Sequence, residues 1–269
     1  MTSDAKSSAA SQIDALTATI AEARVVLSDT RIKGAHYFLL TALAGYLWSA
    51  IAASDTLLVV VKSGVGRGAG PLKRLLHECY LDAMFMASDP DGDSLAARSW
   101  LSDYRDTVAL LREYREVLKA HPHSNLAPLP PDWTFFDRPV DEVIRGLDEQ
   151  NVAHGGSDHL FKRAWGWWER SRYWHWSGLN RKKMVDALIK RGKLDGPTAF
   201  IALSLTRMFN AAAHAGPPWG ELPPNPDGRT DPPTLRSADA DLGQLALSGQ
   251  QLLGGLSREV KDFFAAHAA

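Results

Sequence analysis

Three residues in the stretch RMFNAAAHAG, residues 207–216, have the types and spacing that phosphate chemistry requires. If the stretch is helical, Arg207 and His214 lie about two turns apart on one face, with Asn210 between them. An imidazole suits proton transfer near neutral pH, and a guanidinium offers a planar set of donors to a phosphate. We therefore predict His214 as a general acid or base, Arg207 as a phosphate ligand and Asn210 as an orienting group. The alternative is a solvated helix face whose histidine caps the helix end.

A second candidate group lies on the helix that is predicted to begin near Pro71. Arg74, Glu78 and Asp82 follow one another at intervals of four residues, with His77 beside them. Side chains at this spacing are neighbours on a helix, so a set of surface ion pairs is one interpretation. The other interpretation is an inward-facing Arg74–Glu78 pair that supports a catalytic or binding group.

The third candidate is the basic, tryptophan-rich segment of residues 161–193. It contains ten lysines and arginines against two acidic residues, a local formal charge of +8, and five of the nine tryptophans. Aromatic faces among cations are what single-stranded nucleic acid or a phosphorylated ligand would contact. Tryptophans at this density are also typical of a core, or of a subunit interface with charges at its rim. The residues predicted to contact a polynucleotide are Trp174, His175, Trp176, Arg181, Lys182 and Lys183.

The composition of the whole chain excludes some classes of protein and site. A formal net charge of −1 over 269 residues argues against a protein that coats nucleic acid through bulk charge. The single cysteine, Cys79, cannot form an intrachain disulfide, which favours a reducing, cytoplasmic location, and its apolar stripe predicts a packing role. His77-Glu78 lacks the second histidine of a zinc helix, and GVGRGAG at residues 64–70 lacks the Lys-Ser/Thr of a phosphate loop. We therefore predict neither a metal nor a cofactor.

The elements that would position these residues are predicted to be helices. Apolar residues recur at helical spacing through most of the chain, and no convincing pair of alternating strands is found. The expected fold is all-α, a helical bundle with two long proline-rich loops at residues 121–139 and 216–233. Residues 1–12 are expected to form a flexible leader before a single helical domain over residues 13–269. The helices predicted after the first long one cover about residues 71–89, 94–119, 140–148, 158–172, 180–192, 196–215 and 237–266.

One segment, residues 37–61, raises the question of a membrane span. Tyr37 to Ala53 is a run of 17 residues without a charge, at the lower limit for a spanning helix. Asp55 then interrupts the run, whose many alanines make it weakly hydrophobic for lipid. Small residues also allow a central helix to be packed closely on all sides. We predict a buried core helix and no stable membrane insertion.

Three stretches of the chain together resemble the bacterial family called domain of unknown function 5677. They are LLVVVKSGVGRGAGPLKRLLHECYLDAMFMASDP, WSGLNRKKMVDAL and FIALSLTRMFNAAAHAG, and the similarity covers about residues 55–265. Members have an Arg-x-x-x-Glu helix, a Trp/Ser/Gly segment, and a helix that ends in a histidine followed by small residues. The matching positions here are Arg74 and Glu78, then Trp176, Ser177 and Gly178, then His214. The resemblance implies the helical fold and a meeting of Arg74, Glu78 and His214 in space.

A looser similarity links the chain to the HEPN superfamily, helical-bundle proteins of toxin–antitoxin, abortive-infection and RNA-cleaving systems. Their ribonuclease members carry an arginine, four to six residues and then a histidine on one helix, and Arg207 and His214 have six residues between them. The similarity implies metal-independent cleavage, with the histidine in acid–base work, the arginine on the phosphate and an active site between two subunits. The chain departs at Met208, where those proteins often have a polar residue, and Asn210 would substitute for it.

The expected function is therefore that of a HEPN-like, cytoplasmic, homodimeric protein that acts on RNA or a nucleotide, as a metal-independent ribonuclease of phage defence or stress response. Arg74 and Glu78 would support the site, and the basic segment 161–193 would hold the polynucleotide. Two alternatives remain open at this point. One is a non-catalytic, dimeric helical interaction module, and the other is a small-molecule enzyme with a pocket of Arg74, Glu78 and His214.

Overall fold

The computed structural model describes residues 3–65, 69–121, 138–171, 175–194, 199 and 239–267, and every element bounded within them is an α-helix. This confirms the all-α helical bundle expected from the spacing of apolar residues. The eight helices bounded in these residues are α1 (Ser3–Asp29), α2 (Tyr37–Lys62), α3 (Gly70–Ser88), α4 (Gly92–Ala120), α5 (Val140–Ala153), α6 (Leu160–Arg170), α7 (Arg181–Lys190) and α8 (Asp239–Ala266).

The helix boundaries follow the predicted ones closely where an apolar stripe is long. Both α3 and α4 begin and end within two residues of their predicted limits, whereas α5 continues past the expected end to Ala153. Of the helix predicted at 196–215 only Ala199 is among the described residues. The proline-rich segment 216–233 and most of 121–139 also lie outside the described residues.

The described helices form two compact units. Unit 1 combines the described residues of Met1–Arg31, Leu43–Ser88 and Arg181–His267, and unit 2 combines those of Ile32–Ala42 and Asp89–Asn180. The division follows the packing partners of the helices. In unit 1, α8 packs on α1 and α3 while α7 packs on α3; in unit 2, α6 packs on α4 and α5.

The core of unit 1 forms where α8 approaches α1, α2 and α3. A Cβ atom on Gly249 of α8 would lie 2.8 Å from the side chain of Leu57 and 3.4 Å from that of Leu16, so glycine permits this close approach. Both leucines are fully buried. Burial of a leucine side chain stabilises a fold by about 1.5–3 kcal/mol. The α1–α8 pair therefore holds this unit together through apolar contact.

The core of unit 2 is built around Phe161, the second residue of α6. Its ring is fully buried and meets the ring of Phe38 edge-to-face, with 4.5 Å between centroids. The Asp148 carboxylate on α5 accepts hydrogen bonds from the backbone N–H groups of Phe161, at 2.7 Å, and Lys162, at 3.2 Å. These N–H groups belong to the first turn of α6 and have no partner within that helix, so Asp148 caps α6 from a neighbouring helix.

Residues 3–12 are helical and therefore differ from the flexible leader that their polar, Ala/Ser-rich composition suggested. They form the first turns of α1, and Ala9 is buried. A Cβ on Gly243 of α8 would lie 3.4 Å from the Cα of Ala9, so two small residues bring the helices together here. Alanine is the strongest helix former, and a packed partner helix supplies the stability that composition alone does not show.

The apolar helix α2 is long and apolar enough, by length and composition, to cross a membrane. Within the structure Leu43, Leu47 and Leu57 are buried, whereas Trp48 and Val59 are 64% and 67% exposed. Trp48 and Val59 are eleven residues apart, or about three helical turns, and so share one exposed face.

Candidate functional site

A largely buried ion pair in unit 1 joins Arg181, the first residue of α7, to Asp82 on α3. The two guanidinium nitrogens bond to both carboxylate oxygens, with Nη2 3.3 Å from Oδ2 and Nη1 closer to Oδ1. The Asp82 side chain is only 9% exposed and that of Arg181 is 21% exposed. A bidentate arginine–carboxylate pair is both strong and geometrically specific, so this contact fixes the start of α7 against α3.

The local sequence of α7 explains why Arg181 faces α3. Met184, Val185 and Leu188 form the buried face of α7, and Arg181 precedes the first two by three and four residues. Side chains at that spacing lie on one face of a helix. Beyond the other end of α7, Arg191 donates to the Phe85 carbonyl oxygen at 3.3 Å and has its guanidinium 4.7 Å from the Phe85 ring centroid. Arginines at both ends therefore anchor α7 to α3.

The pair is electrostatically coupled to its surroundings. Burial raises the pKa of the Asp82 carboxyl above its ordinary value, and the Arg181 charge opposes that rise. Burial alone would lower the pKa of Arg181, but the attraction of Asp82, with smaller contributions from Glu78 and Tyr46, raises it. A carboxylate this deeply buried needs a cation beside it, and Arg181 provides one.

The predicted Arg74–Glu78 pair is formed on α3. The Arg74 Nε donates to the Glu78 Oε1 at 2.8 Å, and the two side chains are 34% and 32% exposed. Glu78 and Asp82 are themselves four residues apart, so their like charges would destabilise α3 if they stood alone. Arg74 on one side and Arg181 on the other balance them. We call Arg74, Glu78, Asp82 and Arg181 the α3–α7 charge cluster.

Two further side chains of α3 lie beside this cluster. His77 is buried, and Cys79 is buried with its pKa raised to about 12 by burial first and then by the charges of Asp82 and Glu78. A thiol with this pKa stays protonated at neutral pH and is a poor nucleophile. Cys79 is therefore a packing residue, in agreement with its place in an apolar stripe.

The remaining residues of the predicted site belong to different units or lie outside the described residues. Lys182 and Lys183 follow Arg181 on α7 and are exposed. His175 and Trp176 belong to unit 2, so the segment 161–193 is not one continuous surface within a single unit. The three predicted catalytic residues, Arg207, Asn210 and His214, lie outside the described residues, as does Trp174.

The HWSGL segment, residues 175–179, forms a hydrogen-bonded turn in unit 2. The His175 Nδ1 and Ser177 Oγ atoms are 2.8 Å apart, and the Leu179 N–H donates to the same oxygen at 3.1 Å. Gly178 has a φ of 71°, and a Cβ there would lie 3.0 Å from the Trp167 ring, so this position needs glycine. These contacts give the Trp/Ser/Gly motif a structural role in the turn.

Tryptophans of this segment pack within unit 2. Trp176 is 6% exposed, so as it stands its ring is unavailable for stacking on a base. The Trp168 ring is also buried; its Nε1 donates to the Arg98 carbonyl oxygen at 3.0 Å, and the Arg105 guanidinium lies 4.2 Å from a ring centroid. Arg98 lies in the same way 4.6 Å from Trp167. Among the described residues, the cations that lie over Trp167 and Trp168 come from α4.

The arginines of α4 are not among the site residues that the sequence predicts. Arg98, Arg105 and Arg112 follow one another at intervals of seven residues, a spacing that places them on one helix face. That periodicity was visible in the sequence, but it lay outside the segment with the dense tryptophans. Because α6 packs on α4, the two patterns meet in the folded unit.

Within the described residues, no group of three or more His, Cys, Asp or Glu side chains is placed to hold a metal ion. Comparisons of the chain with protein-family models, curated proteins and solved structures found no match. The resemblance to domain of unknown function 5677 and to the HEPN superfamily therefore stays a prediction from the sequence.

Proposed function

We propose that this chain is a cytoplasmic, HEPN-like, homodimeric protein that binds RNA and cleaves it without a metal ion, in phage defence or stress response. His214 acts as general acid or base, Arg207 binds the phosphate and Asn210 orients the reacting group. Arg74 and Glu78 support the site, and the cations at the start of α7 hold the RNA backbone. The roles of Arg207, Asn210 and His214 rest on the sequence.

The observation that supports this proposal best is the contact between Arg181 and Asp82. It joins two groups that the sequence suggested separately, namely the Arg74–Glu78 helix and the start of the Arg-Lys-Lys run at residues 181–183. Arg181 is held by Asp82, while Lys182 and Lys183 are exposed beside it. Exposed lysines attract phosphates through a sequence-independent electrostatic term, which suits an RNA backbone.

The chemistry proposed is attack of the ribose 2′-oxygen on the adjacent phosphorus. The neutral His214 imidazole takes the 2′-hydroxyl proton, the bond from phosphorus to the 2′-oxygen forms, and the bond to the 5′-oxygen breaks. The departing 5′-oxygen receives a proton from the imidazolium, either the same one or its counterpart in the homodimer. The Arg207 guanidinium stabilises the negative charge that builds up on the phosphate oxygens.

The test of catalysis is cleavage of a labelled single-stranded RNA by purified protein in the presence of EDTA. We expect His214→Ala and Arg207→Ala to lower the rate about 100-fold or more, as losses of acid–base and charge-stabilising groups do. His159→Ala and Arg145→Ala are matched controls, because both side chains are mainly exposed in unit 2. Equal cleavage rates for the unsubstituted chain, the two site variants and the two controls would contradict the proposal.

The test of binding is the salt dependence of RNA affinity. Replacing Lys182 and Lys183 by glutamine should weaken binding and reduce the slope of log K against log salt by about 1.4, since each contact to single-stranded RNA contributes about 0.7. A Lys33→Gln/Lys119→Gln protein is the control, because it loses the same charge from exposed positions elsewhere. An unchanged slope in the Lys182→Gln/Lys183→Gln protein would show that the α7 lysines do not contact the RNA.

A second candidate function, that of a non-catalytic dimeric interaction module, is favoured by the exposed face of α2. Large apolar side chains at Trp48 and Val59 share that face. Tryptophan is enriched among the residues that dominate binding at protein interfaces. If this function is correct, Trp48→Gln will convert a dimer to a monomer in light-scattering measurements, and the RNA-cleavage assay will give no product with any protein.

A further inference from the structure

Trp48 on α2 projects from unit 1 beside a pocket between α1 and α2. The Trp48 side chain is 64% exposed, and its indole N–H donates to no other described residue. The pocket has a volume of about 370 Å³. Its lining residues are Arg24, Leu27 and Ser28 of α1 with Trp48, Ile51, Ala52 and Asp55 of α2, all in unit 1. A large exposed aromatic side chain and a pocket of side-chain size therefore lie next to each other on one surface.

The pocket combines aliphatic walls with one hydrogen-bond acceptor. Leu27 and Ile51 supply the aliphatic carbon. The Asp55 side chain is 39% exposed and binds Arg24 through one oxygen, with 2.6 Å between Nη2 and Oδ2. Its other oxygen, Oδ1, makes no hydrogen bond with another described residue. An apolar space with a carboxylate oxygen at its edge matches an aromatic ring that carries an N–H donor, which is the chemistry of an indole.

The exposed residues of α2 around this pocket are spaced symmetrically about Ala52. They are Gly45, Trp48, Ala52, Thr56 and Val59, at successive intervals of three, four, four and three residues, and we call them the α2 face. In a two-fold contact the same patch is used by both copies. If two antiparallel α2 helices cross at Ala52, Trp48 of each lies opposite Thr56 of the other, and Gly45 opposite Val59. A large side chain then meets a smaller one at each position.

The charges near the α2 face are compatible with such a self-contact. At a two-fold axis a residue lies beside its own copy, so a charge there would meet a like charge. None of the five residues of the α2 face is charged, and the residue on the axis is Ala52. The nearest charged residue of α2 is Asp55, which Arg24 already pairs. Each copy therefore brings one cation and one anion to the contact, and the two balance.

We propose that the α2 face is the contact between two copies of this chain, and that Trp48 of each copy enters the α1–α2 pocket of the other. With the axis at Ala52, the partner's Trp48 lies opposite Thr56 and next to Asp55. Its indole N–H then donates to the second oxygen of the Asp55 carboxylate. Each tryptophan has about 150–250 Å² of surface to bury, and tryptophan is enriched among the residues that dominate interface affinity. One symmetric contact fills both pockets.

This inference rests on the homodimeric state in the proposed function, and it adds the surface and the orientation of the two copies. It does not rest on RNA cleavage, because no residue of the α2 face has a role in the proposed chemistry. The dimer contact and the cleavage reaction are measured separately, so the failure of one is distinguishable from the failure of the other.

The first test is disulfide crosslinking of the full chain with Cys79→Ala, which removes the only native thiol. Ala52→Cys should form a disulfide-linked dimer on mild oxidation, because the two thiols meet at the axis and a disulfide requires Cα atoms about 4.4–6.8 Å apart. Val59→Cys alone is the matched control on the same face, since its two copies would lie about 21 Å apart along the helices. A mixture of Gly45→Cys and Val59→Cys chains should crosslink to each other. Circular dichroism establishes that each variant keeps its helices.

The second test isolates the hydrogen bond to Asp55. Trp48→Phe keeps an aromatic ring but removes the N–H donor, so the dissociation constant of the dimer in analytical ultracentrifugation should rise about tenfold. Trp165→Phe is the matched control, because it removes an indole N–H that donates to Glu169 at 3.0 Å in unit 2. The control protein should dimerise as the unsubstituted chain does.

Four results would overturn the proposal. The first is a dimer in which Ala52→Cys gives no crosslink, because the contact would then lie elsewhere. The second is self-crosslinking of both Gly45→Cys and Val59→Cys, which indicates parallel helices. The third is an unchanged dissociation constant for Trp48→Phe. The fourth is a monomer at every protein concentration, and if that monomer binds phosphatidylcholine vesicles and Trp48→Gln does not, the α2 face contacts lipid. RNA cleavage in any of these cases would leave the proposed chemistry standing.

Discussion

The two units hold their arginines by different kinds of contact. In the α3–α7 charge cluster of unit 1, Arg181 is bound through both nitrogens to a nearly buried carboxylate. In unit 2, by contrast, Arg98 and Arg105 of α4 lie over the rings of Trp167 and Trp168, at 4.6 Å and 4.2 Å from the ring centroids. Unit 2 does have a buried carboxylate, Asp148, but backbone N–H groups satisfy it. The arginine of unit 1 thus positions a helix through a carboxylate, whereas the α4 arginines of unit 2 pack against aromatic rings.

The largest expected effect tests whether Arg181 is structural. Arg181→Met leaves the Asp82 carboxylate buried without its cation, which should lower the free energy of unfolding by about 3–5 kcal/mol. Asp82→Leu combined with Arg181→Met removes both charges and should recover most of that loss. Urea unfolding of Arg181→Met, Asp82→Leu and the double variant measures these changes in the free energy of unfolding. Additive losses in the double variant would show that the pair does not act as a unit.

The second prediction concerns Cys79, which lies beside the α3–α7 charge cluster. Its folded pKa of about 12 keeps it a thiol, so alkylation by iodoacetamide at pH 8 should be at least about 100-fold slower in the native than in the urea-unfolded chain. The unfolded thiol ionises from about pH 8.5 while the folded one does not, so Cys79 makes the free energy of unfolding fall as pH rises from there towards 12. Cys79→Ala should lack this part of the pH dependence. Rapid native alkylation would contradict the buried position.

A smaller effect is expected for Asp148, which caps α6 in unit 2. Asp148→Ala removes the acceptor of two backbone hydrogen bonds at the start of α6 and should cost about 1–2 kcal/mol of stability. Asp158→Ala is the control, since that carboxylate is exposed and 68% accessible. If both variants unfold at the same urea concentration, the cap contributes nothing.

The smallest effect is expected for the exposed half of the α3–α7 charge cluster. Arg74→Ala removes an i,i+4 ion pair whose partners are about one-third exposed, and such pairs contribute only about 0.3–0.5 kcal/mol. The free energy of unfolding should therefore change far less than for Arg181→Met. A loss comparable to that of Arg181→Met would show that the Arg74–Glu78 pair is as important for stability as the Arg181–Asp82 pair, which would contradict the expected difference.

Local patterns in the sequence predicted much of the fold. The apolar stripes of α3 and α4 predicted the ends of these helices to within two residues. The four-residue spacing of Arg74 and Glu78 predicted their ion pair. The pairing of Arg181 with Asp82 was not predictable, because the two residues are 99 positions apart and only the packing of α7 on α3 brings them together. Both residues were recognised as candidates, but in separate groups.

Two other features escaped sequence reasoning because they depend on tertiary packing. The composition of the Ala/Ser-rich start of α1 predicted flexibility. In the structure Ala9 is buried, because Gly243 of α8 lies close against it. The composition of segment 161–193 left both a surface and a core open for its tryptophans. In the structure Trp168 and Trp176 are buried, and the described arginines near Trp167 and Trp168 come from α4. The catalytic residues predicted at 207, 210 and 214 lie outside the described residues, so their roles are tested by cleavage assays on substituted proteins.

The most direct measurement is cleavage, in EDTA, of a DNA oligonucleotide that contains a single ribonucleotide, beside the same strand with no ribonucleotide. The proposed chemistry predicts cutting only on the 3′ side of the ribonucleotide, with a 2′,3′-cyclic phosphate on the upstream fragment. It also predicts that His214→Ala is about 100-fold slower or more. Cleavage of the all-deoxy strand, equal rates for His214→Ala, or no cleavage by the unsubstituted chain would contradict it.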